Sequence, residues 1–200
     1  MTAMTPAVAR VRLVWPAIER LPSYRRALER GWSPDNLRGA ATARAHLAKI
    51  ATDPAGFVAS LVDREAAGGP VTLPDGTQAQ RLPGYARWLW DPDAPDGDGF
   101  CASFGLRWPR GGGDLPPHVL GHIGYSVVPW RRREGLATRG LALLLDDARA
   151  EGLAFVLLTT DPDNRASQRV IERNGGVLVE RFAKPPAFGG GDSLRWRIAL

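Results

Sequence analysis

Apolar residues recur at helical spacing through the first third of the chain, at strand spacing in the middle, and in a strand, helix, strand order after that. Residues 11–15 alternate as a short strand. Pro16 can open a helix with Ile18, Leu21, Tyr24 and Leu28 on one face, kinked or restarted at Pro22 and stopped at Gly31. A second helical stretch covers 44–65, with Leu47 and Ile50 on one stripe, a break at Asp53 and Pro54, and then Phe57, Val58, Leu61 and Val62. Such stripes are core faces. Residues 68–84 are turn-rich, with Pro74, Asp75 and Gly76 as a tight-turn signal. Strands are expected over 85–90, 100–108 and 119–128, separated by WDPDAPDGDG at 90–99 and by a loop around Gly111, Gly112 and Gly113.

The second half alternates more cleanly. A helix over 135–151 carries Leu136, Leu141, Leu144, Leu145 and Ala148 and stops at Gly152; residues 154–160 then form a continuous apolar strand. A helix over 165–174 closes at Gly175, and strands over 177–182 and 194–200 finish the chain. The order predicts one α/β domain over 1–200, with a mixed, mostly antiparallel central sheet and helices on both faces. Residues 1–84 form its variable helical front and 85–200 its core. The 194–200 strand is an edge open to pairing with a second copy as a homodimer.

Composition narrows the function. With Cys101 as the sole cysteine there is no internal disulfide and no cysteine zinc cluster, and His46, His118 and His122 are too scattered for a metal site. No membrane span or signal sequence is visible, so the chain reads as cytoplasmic. The net charge of +5 comes from 24 Arg and 2 Lys, but the arginines spread over every segment, which argues against a nucleic-acid partner. Asp91, Asp93, Asp96 and Asp98 miss the spacing of a calcium loop and read as a solvated hairpin.

The chemistry gathers at VVPWRRREGLAT, 127–138. A strand ends, three arginines follow, and Gly135, Leu136 and Ala137 open a helix. The N–H groups of residues 133–138 are then unpaired at a helix N-terminus, where donors and dipole favour an anion, with phosphate the natural guest. Gly135 permits close approach, Thr138 adds a hydroxyl, and the three arginines, Arg131, Arg132 and Arg133, supply charge. The segment is neither a Walker loop nor a dinucleotide fingerprint.

The run Arg132-Arg133-Glu134-Gly135-Leu136-Ala137 resembles the Arg/Gln-x-x-Gly-x-Gly/Ala motif of the GNAT N-acetyltransferase superfamily. DPDNRASQRVIERNGG at 161–176 resembles that superfamily's Asn-x-x-Ser-x-x-x-x-Glu-Lys/Arg-x-Gly segment. The chain is similar to a poorly characterised predicted-acetyltransferase branch and, more distantly, to ribosomal-protein alanine acetyltransferases, closely over 85–200 and loosely over 1–84. The resemblance implies acetyl-CoA as co-substrate and no metal. It places the pyrophosphate on the amides of Arg133, Glu134, Gly135, Leu136, Ala137 and Thr138, the pantetheine on main-chain groups of Val127 and Val128 and on Asn164, and the sulfur near Ser167. Val127 and Val128 would also polarise the thioester carbonyl.

Acetyl transfer to a primary amine needs a path for the amine proton and a donor to the departing thiolate. Many members of the superfamily use a Tyr donor at the position held here by Ile171; Ser167 is the substitute the resemblance suggests. For the base, His122 has a suitable intrinsic pKa, Tyr125 could order a water, and Asp161 ends a strand. His46 and His118 read as structural. The expected acceptor is a small-molecule amine or a protein N-terminus. The rival reading is a non-catalytic acyl-CoA-binding regulatory module.

Overall fold

The computed structural model describes residues 10–73, 76–111 and 114–200, so the expected turn at Pro74, Asp75 and Gly76 and the loop at Gly111, Gly112 and Gly113 lie partly outside the described residues. The strands are β1 (Arg12–Val14), β2 (Val62–Asp63), β3 (Val71–Thr72), β4 (Gln78–Ala79), β5 (Gly84–Trp90), β6 (Phe100–Arg107), β7 (Ile123–Val127), β8 (Phe155–Thr160), β9 (Val177–Ala183) and β10 (Asp192–Ala199). The α-helices are α1 (Leu21–Glu29), α2 (Ala40–Thr52), α3 (Pro54–Ser60), α4 (Leu136–Ala150) and α5 (Arg165–Arg173). One sheet runs β1-β5-β6-β7 with β2 beside β5, a second runs β8-β10-β9, and β3 pairs with β4. The pairings whose registers are resolved, β1 with β5, β3 with β4, and β10 with β8 and β9, are antiparallel, so the fold is the expected mixed α/β type.

Prolines mark helix starts. Pro22 does not kink α1 but sits in its first turn, where a missing N–H costs nothing. The break at Asp53 and Pro54 is likewise a start: the Asp53 side chain accepts from the Gly56 amide at 2.8 Å and caps α3. Ile18 falls outside α1, in a short 3-10 turn (Ile18–Arg20), and is half exposed. The 119–128 strand is shortened to β7 because the chain bends before Ile123, where the His122 amide turns to the Leu157 carbonyl at 2.8 Å.

The chain divides into two compact units. The first runs through Val62 and resumes over Ala86–Phe104 and Tyr125–Leu143. Its core joins Leu21, Tyr24, Leu28, Trp32, Ile50, Phe57, Trp88, Phe100 and Val128. The Tyr24 ring stacks on Trp88 at 4.7 Å and meets Trp32 and Phe100 edge-on, arrangements that add to simple burial. Its hydroxyl lies 2.8 Å from His46 Nδ1, which gives His46 the expected structural role. Trp32 Nε1 donates to Ser126 Oγ, which donates to the Ser33 carbonyl, so β7 is held from the segment after α1.

The second unit comprises Asp63–Tyr85, Gly105–Gly124 and Leu144–Leu200. Val156, Leu158, Ile171, Trp196 and Ile198 are buried in it, and Trp196 Nε1 donates to Thr160 Oγ1 at 3.1 Å. Tyr85 and Arg64 both donate to Glu151. The expectation of an open edge over 194–200 is corrected here: β10 lies between β8 and β9, and ladder bonds consume both its sides. The outer strands of this sheet are β8 and β9, and on β9 Val177, Leu178 and Val179 are exposed.

Candidate active site

The first unit carries the loop that the sequence marks as a candidate anion site. After β7, a 3-10 turn (Pro129–Arg131) leads through Arg132, Arg133, Glu134 and Gly135 into α4. Arg133 and Gly135 both have left-handed φ values, 66° and 85°. Glycine adopts that conformation freely, but at Arg133 it is strained by roughly 1 kcal/mol, so the surroundings must hold it. Alternation of hand along a short stretch turns successive N–H groups toward one hollow, the form of an anion nest. Among the described residues, no carbonyl or side chain accepts from the amides of Arg133, Glu134, Gly135, Leu136 or Ala137. Thr138 lies in the first turn of α4.

The two valines divide. The Val128 amide donates to the Cys101 carbonyl at 2.9 Å, so Val128 cannot polarise a thioester, which corrects that expectation. Main-chain groups alternate sides along an antiparallel strand. Val127 therefore turns its N–H to the outer edge of β7, the last strand of its sheet. Its carbonyl accepts from Arg132 Nε at 3.4 Å. On the same edge the Tyr125 carbonyl accepts from Asn36 Nδ2 at 3.3 Å, while the Tyr125 ring stacks on Phe104.

The three arginines play different parts. Arg133 is exposed and forms no ion pair among the described residues. Arg131 turns inward: its Nε donates to both Glu134 oxygens at 3.0 and 2.8 Å, and both terminal nitrogens lie 3.2 Å from Asp91 Oδ2. Burial works against the Arg131 charge, but these carboxylates outweigh it and raise its pKa. Beneath it, burial pushes the Cys101 thiol up to about 12, so Cys101 is an inert core thiol. The hairpin expected to be solvated is thus largely committed to arginines: Asp91 to Arg131, Asp93 to Arg10, and Asp98 to Arg26 and Arg30. The pairing of Asp91 with Arg131 has no signal in the sequence, where Asp91 reads only as part of the acidic hairpin; the Arg131 to Glu134 spacing of three is a readable signal.

His122, Asp161, Asn164, Ser167 and Ile171 lie in the second unit. His122 is 2% exposed, and its Nδ1 accepts the Leu157 amide at 3.0 Å. Burial, helped by the Arg107 charge, lowers its pKa to about 4. The lone pair a base would need is already spent, which argues against the base role. Asp161 is paired with Lys184 at 2.5 Å. Asn164 and Ser167 share the first turn of α5, where Asn164 Oδ1 accepts the Ser167 amide at 3.1 Å and caps the helix. Ile171 is wholly buried and packs under Gly176, so the position of the superfamily's Tyr is core here.

Among the described residues no group of three His, Cys, Asp or Glu side chains could hold a metal, and no helix is long and apolar enough to cross a membrane. Residues 37–177 match the family model described as Acetyltransferase (GNAT) domain, which begins well before residue 85. No curated protein compared matches by sequence. The fold is similar to Mycobacterium smegmatis RimJ in complex with CoA-disulfide (18% identity, 95% of this chain and 81% of that one, TM-score 0.58). It is also similar to ribosomal-protein-S5-alanine acetyltransferase from Vibrio fischeri (15%, 94% and 91%, 0.54) and to the Microcin C7 self immunity acetyltransferase MccE in complex with acetyl-CoA and AMP (10%, 100% and 100%, 0.55). The family match and the open amide hollow at the head of α4 lead to one conclusion: the chain belongs to the GNAT acetyltransferase family and is an acyltransferase.

Proposed function

We propose that the chain transfers the acetyl group of acetyl-CoA to a primary amine by direct attack in a ternary complex. The unspent amides of Arg133, Glu134, Gly135, Leu136 and Ala137 carry this reading: five donors in one strained turn suit a diphosphate, to which Arg132 and Arg133 add charge. The Val127 amide suits the thioester oxygen, which becomes an anion as the amine nitrogen bonds to the carbonyl carbon. The C–S bond then breaks, the thiolate takes a proton and the nitrogen loses one. On the motif we assign the first proton to Ser167 and the pantetheine contact to Asn164, and we leave the amine proton to water, with Tyr125 ordering it, because Nδ1 of His122 is engaged.

The ribosomal-protein-S5-alanine acetyltransferase among the similar structures favours a protein N-terminus over a small amine as acceptor. Pairing with a second copy through a strand edge falls to β9 rather than β10. The buried aliphatic at Ile171 favours the rival, a non-catalytic acyl-CoA-binding module. Turnover decides: release of free CoA thiol with N-terminal peptides and small amines supports transfer, and none with any of them supports the module. Ser167→Ala should lower kcat about a hundredfold or more, the size of a lost general-acid contribution, with little change in acetyl-CoA KM. An unchanged kcat removes Ser167 from the chemistry.

A further inference from the structure

We propose that the acidic hairpin after β5 braces the cofactor loop, with Asp91 as a positioning residue for diphosphate binding; this rests on the acetyl-CoA reading of the loop amides. The hairpin reaches the Pro129–Arg131 turn by two routes. Directly, Asp91 Oδ2 lies 3.2 Å from both terminal nitrogens of Arg131. Indirectly, Asp98 pairs with Arg30 at 4.0 Å, and the Arg30 guanidinium stacks on the Trp130 ring at 3.5 Å. Asp98 is itself fixed by Ser23 Oγ at 2.8 Å and by Arg26.

The second half of the argument is strain. Arg131 and Glu134 bracket Arg133, the one loop residue whose left-handed backbone is costly, and their two bonds close the bend around it. Asp91 anchors that pair to the end of β5. With 13% of its side chain exposed, Asp91 is fixed rather than solvated, and the Arg131 charge is spent inside the protein rather than on the ligand.

The sign of the effect separates this from simple electrostatics. Two carboxylates on one guanidinium leave a negative balance near an anion site, so by charge alone removing Asp91 strengthens diphosphate binding. As a brace, its removal weakens binding, because the amide hollow is no longer held in shape.

The test is calorimetric titration of Asp91→Asn with acetyl-CoA and with S-acetylpantetheine, which lacks the diphosphate. Acetyl-CoA affinity should fall on the order of tenfold, as for other residues that orient a binding group from behind, while S-acetylpantetheine affinity is unchanged. Asp93→Asn, whose exposed pair with Arg10 stands apart from the turn, should bind acetyl-CoA like the parent. Unchanged or tighter acetyl-CoA binding by Asp91→Asn, an equal loss for both ligands, or an equal loss in Asp93→Asn overturns the brace. A parent chain that fails to bind acetyl-CoA overturns the cofactor reading, and the brace with it.

Discussion

His122 and His46 are both held neutral at the cost of their ordinary proton affinity. In each, burial is the main cause and nearby positive charge adds to it, Arg107 for His122 and Lys49 with Arg38 for His46, so that both pKa values fall from 6.5 to about 4. Between those values the unfolded chain binds more protons than the folded one. Stability therefore rises with pH across that window and is lost as pH falls from about 6.5 toward 4. Protonating His122 would set an N–H against the Leu157 N–H it now accepts. His122→Asn keeps an acceptor at that reach without titrating, so its melting temperature should fall less steeply between pH 7 and 4 than the parent's. Parallel curves for parent and variant would remove His122 from the pH response. At this scale the sequence spoke only through residue type: the bend that turns the His122 amide to Leu157 joins residues far apart in the chain, and strand alternation could not show it.

Among elements, periodicity was most legible where one face does all the burying. Leu136, Leu141, Leu144, Leu145 and Ala148, the stripe expected of α4, are all buried. Of the two expectations for Pro22, a kink or a restart, the restart holds, because the 3-10 turn at Ile18–Arg20, not the helix, carries the bend. The apolar Val119 and Leu120 extended a predicted strand over residues that the structure leaves outside any strand, with a bend at His122. Gly140 shows an element constraint that spacing cannot reveal: a Cβ there would lie 2.3 Å from the buried Phe104 ring of β6. Gly140→Ala gains roughly 1 kcal/mol of helix propensity but overpacks a ring that has no room to move, a cost of roughly 1–3 kcal/mol. The clash should win, with a net loss of up to about 2 kcal/mol in urea unfolding; a stabilised variant would show that Phe104 yields.

For the whole molecule, the family and the loop of unspent amides before α4 were legible because both are local: two short motifs, each within about a dozen residues, carry them. The supports of that loop were not, since Asp91 and Arg131 are 40 residues apart and Arg30 is far from Trp130 in the chain. The even spread of arginine, which weakened a nucleic-acid reading, is explained in part by the pairs they form with the hairpin carboxylates, inward for Arg131 with Asp91 and at the surface for Arg10 and Arg26. All of it converges on whether the amides ahead of α4 receive a diphosphate. Calorimetric titration of acetyl-CoA into the parent chain and into Gly135→Asp, with melting curves to verify folding, is the most direct test. The variant sets a carboxylate where the ligand's charge must sit, at a left-handed backbone position that a side chain strains only mildly. One-to-one binding by the parent and a loss of at least about a hundredfold in the folded variant is the predicted result. Equal affinity in the two proteins would contradict it.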